Sequence, residues 1–428
     1  MNYYKSWLFN GIPVFISTAI LAIKAILDSW LLGGISDHYL QAFALVFPII
    51  IFTNAISLSL ANSISGTGAK WIDKDEVNGQ IFFLWLIVSF LIGLITSLFL
   101  YLMKDFFIAF FNAEEYYDEI SGFIMMLCVF LPFQFVSIPL IQISRFIRLF
   151  KSFSLVQIFC GILGAFISFW LLSVKTLFEP LSSIVISNSI MSILSFFLCI
   201  LIIYPRFSDK VDKVKSIDKE FLWRGISIFS STFMVQLIAV LFIFYLTYII
   251  SYQSKDMIGI FAYITRVEQL ILMLAFAFIN VILPEVVKDF KTVSRKVLVD
   301  LIDKAVWFLL TFNGVLVFLI LIISEFSFSL IGDSNLENLF LISTIWFMGC
   351  VIQGTVIFYS QVLNVILAPK IAVKLNVVRF LLIGFPFIYL GSHLGNELGL
   401  TVGLAITHTL SWFIYRFKVK KLLLYDIR

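Results

Sequence analysis

The chain has 428 residues, of which 61% are hydrophobic and only 13% charged, with a mean hydropathy of +1.05. No water-facing globular surface is built at that balance, so soluble enzymes and nucleic-acid binders are excluded and the chain is assigned to a bilayer. The formal net charge of +4 is small, and where it sits matters more than its size.

A spanning helix needs about 20 apolar residues, because every backbone polar group must be satisfied within the segment. Twelve such runs are predicted, at 12–34, 41–65, 80–103, 120–143, 153–173, 182–204, 225–250, 258–284, 305–324, 338–363, 373–392 and 396–416. Their connections are short except for "PRFSDKVDKVKSIDKE", Pro205 to Glu220, whose alternating charge marks a linker. The expected fold is therefore all-α and polytopic, with twelve transmembrane helices in two pseudo-symmetric six-helix bundles. Residues 1–204 form the N-lobe, 205–220 a cytoplasmic linker and 221–428 the C-lobe. The first run is too long for a signal-peptide core and carries Lys24, so it reads as a retained helix. Cys128, Cys160, Cys199 and Cys350 all fall within spans and read as small buried hydrophobes.

Cytoplasmic loops are enriched in Lys and Arg. With the N-terminus inside, 24 of the 30 basic residues lie on the inner side. Only Lys104, Lys175 and Lys255 lie outside, and Lys24, Arg266 and Arg379 are left to the spans. Both termini are accordingly expected in the cytoplasm of a cell (inner) membrane, with anionic lipid rather than nucleic acid as the basic face's partner.

The first span holds an unusual stretch, "AILAIKAILDSWLLGG", in which Lys24 and Asp28 interrupt an apolar run. A charge at the bilayer centre costs about 2.5–3.5 kcal/mol, so one retained there has a partner or faces a pathway. Lys24 lies four residues before Asp28 on the same helical face, within reach of an ion pair. Two readings stand: the pair is structural glue, or Asp28 is a protonatable site with Lys24 as its counter-ion or as a competitor for an external cation. In span 8, Arg266 and Glu268 are two apart and point to different sides, so each needs its own partner, for a cavity-lining, gating or packing role. Arg379, near the inner end of span 11, is expected to snorkel to the headgroups. Gln134, Gln142, Gln353, Gln361, Asn54, Asn62, Asn280 and Asn364 are polar residues that bond across helices or line a pathway. The cavity or gating candidates are Gln236, Arg266, Glu268, Asn54, Gln353 and Gln361.

An internal repeat is visible. "FQFVSIPLIQISRFIRLFK" from Phe133 and "IQGTVIFYSQVLNVILAPK" from Ile352 align at an offset of 219, pairing Gln134 with Gln353, Gln142 with Gln361 and Lys151 with Lys370. "AFALVF" from Ala42 aligns with "IFAYIT" from Ile260 at 218. Two repeats of six spans share one orientation, and such an architecture places a substrate site between the halves near the midplane, with spans 1, 2, 7 and 8 among its walls.

Motifs for other chemistry are missing. The sequence has no GxxxxGK[ST] phosphate loop, no HExxH pair and no GxSxG elbow, and only three histidines, His38, His393 and His408. "SGTGAK" from Ser65 leads into a charged loop and reads as a tight turn. A secondary transporter is the expected class, ahead of an intramembrane enzyme.

Three stretches resemble the multidrug and toxic compound extrusion (MATE) family, within the superfamily that also holds polysaccharide and lipid-linked sugar flippases. "GIPVFIS…ILDSWLLGGISDHYLQAFALVFPI" is similar to the family's first helix pair, "SISGTGAKWIDKDE" to its following turn, and "AYITRVEQLILMLAFAFINVILPEVV" to its span 8. The resemblance implies a twelve-helix, two-lobe antiporter that exports small organic compounds, cationic or amphipathic, in exchange for protons or sodium by alternating access. It places Asp28 on the acidic position used for coupling in the N-lobe. Departures are specific: "GILGAFISFWLLS" from Gly161 lacks the family's second N-lobe aspartate, Gln236 stands where one branch has a glutamate, and that branch's span 10 aspartate has no counterpart between Leu336 and Leu367, where the only acid is Glu337. The alternative is a flippase for a lipid-linked saccharide or lipid. The expected partners are the bilayer and the substrate, the expected state is a monomer, and no cofactor or metal is expected beyond the coupling ion.

Overall fold

A computed structural model describes residues 3–67, 72–73, 76–146, 149–173, 178–207, 219–252, 255–290, 294–331, 336–364 and 369–426. Within them, eleven helical stretches are long and apolar enough to cross a membrane. The eleventh, Lys370–Leu424, has 55 residues and is too long for one crossing. It breaks at Gly395 and Asn396, where Asn396 takes a φ of 48°, the left-handed region that asparagine tolerates better than most residues. Eleven stretches therefore make twelve crossings, and the all-α architecture read from the sequence is borne out.

In chain order the helices are α1 (Tyr3–Ile35), α2 (Asp37–Leu45), α3 (Phe47–Thr67), α4 (Gly79–Phe110), α5 (Tyr117–Phe146), α6 (Phe150–Ser173) and α7 (Pro180–Ile203). They are followed by α8 (Lys219–Ser251), α9 (Lys255–Phe290), α10 (Arg295–Ile331), α11 (Leu336–Val362), α12 (Pro369–Val377) and α13 (Phe385–Lys421). A π-helical segment, Val378–Gly384, joins the last two. Side-chain caps set some of the starts: Ser36 Oγ accepts from the His38 N–H before α2, and Asn78 Oδ1 from the Ile81 N–H before α4. The only strands among the described residues are β1 (Ile72–Asp73) and β2 (Glu76–Val77), an antiparallel pair whose Val77 also bridges to Phe207. The turn expected at Ser65–Lys70 and the centre of the charged linker lie outside the described residues from Gly68 and from Ser208 respectively, as do the side chains of Gln142 and Asn280.

The chain divides into two compact units whose borders fall inside α1 and α8: residues 1–22 with 241–428, and residues 23–240. In the 23–240 unit, α5 is central and packs on α4 and α7, while α6 packs on α7. Pro132 and Pro139 interrupt α5, and α4 meets it at Gly93, where a Cβ would sit 2.6 Å from Pro132 Cα. The start of α8 joins this unit through Ser63 Oγ, which donates to the Gly225 carbonyl at 2.7 Å. In the other unit α11 is central, contacting α9, α10 and α13. The first turns of α1 belong here, with the Trp7 ring edge-on to Phe308 at 5.7 Å and Gly11 against the Phe278 ring.

Both units leave large apolar side chains exposed, among them Phe83, Ile95, Phe166, Phe318 and Phe417. In water such a surface would aggregate, and in lipid it is the solvated face.

Candidate functional site

Helical spacing places Lys24 and Asp28 one turn apart on α1, and the fold closes around them. Lys24 Nζ lies 2.7 Å from Asp28 Oδ2, with both side chains 3% exposed. The same ammonium donates to Asn188 Oδ1 on α7, also at 2.7 Å. Room for the lysine stem comes from α6: a Cβ on Gly164 would stand 3.2 Å from Lys24 Cε. The second carboxylate oxygen, Asp28 Oδ1, is buried and has no hydrogen-bond partner among the described residues. A buried ion pair needs its remaining lone pairs satisfied to offset desolvation, and this one leaves an acceptor open. Asn188 was not legible as a partner, because nothing local in span 6 marks it.

The 241–428 unit holds a different polar array. Glu268 on α9 accepts from Trp346 Nε1 on α11 at 2.8 Å and from Gln353, seven residues further along the same helix. Arg266 turns elsewhere, its Nη1 donating to Gln269 Oε1 at 3.1 Å. Arg379 corrects the snorkelling expectation. It is 4% exposed, in the π-helical segment, with its guanidinium 4.4 Å above the Phe380 ring and Nη2 3.2 Å from His408 Nδ1. The extra residue per turn re-aims its side chain into the unit. A guanidinium only donates, so Nδ1 of His408 accepts and the ring proton is on Nε2. His408, one of three scattered histidines in the sequence, is thus fixed by a partner 29 residues away.

The repeat makes the two arrays comparable. At offsets of 218 to 220, Lys24 corresponds to Phe242, Asp28 to Leu246, Gly164 to Gly384 and Asn188 to His408. The packing repeats with the sequence, since a Cβ on Gly384 would stand 2.5 Å from the Phe242 ring just as one on Gly164 would press on Lys24. Phe242 and Leu246 are each 2% exposed. One unit therefore carries a buried ion pair where the other carries two apolar side chains, an asymmetry that periodicity alone did not reveal.

The remaining candidates are dispersed. Asn54 is exposed on α3, Gln236 is half-buried on α8, and Gln361 is half-buried near the end of α11. Gln134 Nε2 donates to Ser189 Oγ at 3.2 Å, linking α5 to α7.

A further charged group sits where the α1–α2 turn, the start of α5 and the residue before α7 meet. His38 Nε2 lies 2.8 Å from Glu119 Oε1. The Glu179 carboxyl is pushed up to about 7, first by burial and then by repulsion from Glu119 and Asp118. Raised above its ordinary 4.5, this group holds a proton in the folded chain that the unfolded chain releases. Its contribution to stability is full below pH 4.5 and is lost as pH rises through about 7. The unfolding temperature in detergent should accordingly fall between about pH 5 and about pH 8, and Glu179→Gln should flatten that dependence. An equally steep profile in the variant would assign it to another group.

These features define a polytopic membrane protein of two repeat-related halves that buries charge at membrane depth. Residues 13–170 match the family described as MatE. Comparison with curated protein sequences gives no match. Among solved structures, a point mutant of the Vibrio cholerae MATE transporter VcmN is 16% identical with TM-score 0.75, covering 97% of each chain. A multidrug resistance MATE transporter of the MOP superfamily in an outward-facing conformation is 14% identical with TM-score 0.79, covering 99% of this chain and 97% of that one. An inward-facing structure so described gives 14% and 0.72, with 97% and 99% covered. The MatE pattern occupies residues 13–170, and the fold of solved MATE transporters runs through the whole chain.

Proposed function

We propose that the chain is a secondary active transporter of the cell (inner) membrane, both termini cytoplasmic, that exports small organic compounds, cationic or amphipathic, in exchange for protons or sodium. Residues 1–204 and 221–428 are the two lobes, which rock in alternating access, and Asp28 is the coupling acid. The observation that carries this is the open acceptor on a buried carboxylate: Asp28 Oδ1 can take a proton or a donor group without rebuilding its surroundings. The match of residues 13–170 to the MatE family and the likeness of the fold to solved MATE transporters support efflux as the activity.

A flippase for an anionic lipid-linked saccharide needs free basic residues at membrane depth. Lys24 is held by Asp28 and Asn188, and Arg379 sits against His408, which favours the exporter. Gln236 carries no charge to bind sodium, and Phe242 and Leu246 are apolar, so coupling is assigned to Asp28 in the N-lobe and not to the corresponding positions of the C-lobe. Purified protein in proteoliposomes, given an imposed proton or sodium gradient and a panel of cationic dyes, should move dye against its gradient. Gln236→Ala should leave the dependence on the driving ion unchanged. Absence of any gradient-driven flux across the panel would count against export, and loss of ion dependence in Gln236→Ala against N-lobe coupling.

A further inference from the structure

The geometry around Lys24 resembles the coordination of an ion. Its ammonium is a compact cation seated between two oxygens, Asp28 Oδ2 and Asn188 Oδ1, each at 2.7 Å, with a third oxygen, Asp28 Oδ1, buried beside them and unpartnered. Carboxylate and amide-carbonyl oxygens are the donors that alkali and alkaline-earth cations take from proteins. One carboxylate supplies one negative charge, so the seat balances a monovalent cation and not a divalent one. Among the described residues, no group of three or more His, Cys, Asp or Glu is placed to hold a metal.

The stem is accommodated as deliberately as the head. Gly164 leaves the space through which the lysine side chain reaches the seat, and the corresponding glycine in the other half, Gly384, faces Phe242 instead. Where the repeat lacks the lysine, it lacks the aspartate as well, with Leu246 at that place. Acid and base are therefore present together or replaced together. That pairing is what a seat and its tethered occupant require.

We propose that Lys24 is a tethered cation, occupying with its ammonium a seat that would otherwise take a free alkali ion, so that the native chain excludes sodium and potassium from Asp28 while leaving Oδ1 able to accept a proton. This rests on reading Asp28 as the coupling acid and narrows its ion to the proton, but binding is measurable without transport. Lys24 is on this account a residue that sets ion selectivity, acting through Asp28.

The test uses the full-length protein in detergent, unfolded thermally in sodium, potassium or N-methylglucamine chloride at constant ionic strength. Wild type should give coincident curves. Lys24→Ala should gain a saturable stabilisation by sodium or potassium, because a ligand that binds only the folded state raises its stability. Lys24→Ala/Asp28→Asn should not. If Lys24→Ala is too unstable to purify in N-methylglucamine, sodium or potassium in the extraction buffer should rescue it, and failure of both would overturn the proposal. A folded Lys24→Ala variant indifferent to all three cations would also overturn it, as would saturable sodium binding by wild type that disappears in Asp28→Asn. Sodium-driven transport by wild type, lost in Asp28→Asn, would sink the tethered-cation inference while leaving Asp28 as the coupling acid. Normal proton-driven export by Asp28→Asn would sink the coupling reading and leave the binding result standing.

Discussion

Asp28→Asn should reduce gradient-driven export to the rate of empty liposomes and destabilise the protein at the same time. The amide keeps the carboxylate's shape but cannot titrate, and it strands the Lys24 ammonium in a site that is 3% exposed. Removing one partner of a buried ion pair typically costs about 3–5 kcal/mol, because the other charge is left uncompensated. The other half of the chain suggests the compensating change. Lys24→Met with Asp28→Leu imitates the apolar Phe242 and Leu246 pair, and replacing a buried pair by packed hydrophobic side chains is commonly neutral or stabilising. The double variant should recover the wild-type unfolding temperature and remain inactive in proteoliposomes. Recovery of transport along with stability would make the pair structural glue and end the coupling hypothesis. Export by Asp28→Asn at the wild-type rate, with unchanged pH dependence, would do the same directly.

The sequence discloses a good part of this fold because lipid imposes a length on each apolar run and loops punctuate it. Asn396 illustrates this: the gap predicted between 392 and 396 is where the helix reverses its φ. Lys24 and Asp28 were legible as a pair for a similar reason, since an interval of four residues is a purely local geometric fact.

What depended on tertiary structure was hidden. Asn188 is 164 residues from Lys24, and they meet only in the fold, where α7 packs on α6 and Gly164 of α6 lies against the lysine stem. Arg379 lies near the end of a predicted span, where position alone favours a lipid-facing, snorkelling role. The π-helical turn is what directs it inward, and no residue type announces such a turn. The repeat held more information than its two aligned stretches indicated: carried across to Gly164 and Gly384, the same offset finds Phe242 opposite Lys24 and His408 opposite Asn188.

Gly391→Ala is expected to be among the most destabilising single changes in the chain. Gly391, Gly395, Gly399 and Gly403 recur every four residues across the break in α13, a spacing of small residues that lets membrane helices approach backbone to backbone. A Cβ on Gly391 would collide with the Gly399 carbonyl oxygen, one on Gly399 with that of Gly391, and one on Gly403 with that of Phe387. No flexible side chain is available to move aside, unlike at Gly11, where the opposing atoms belong to the Phe278 ring. Overpacking a tight site costs about 1–3 kcal/mol when side chains can adjust, and parting two backbones should reach at least the upper end of that range. The contact also has a functional consequence. Arg379 precedes the first half of α13 and His408 lies in the second, so their 3.2 Å contact depends on how closely the two halves meet. Gly391→Ala should therefore lower the unfolding temperature in detergent and reduce the monodisperse fraction on size exclusion. Gly395→Ala, where a Cβ would meet nothing within 4 Å, is the control and should cost much less. Equal unfolding temperatures for wild type and Gly391→Ala would show that the two halves separate freely and that this contact does not set the position of His408.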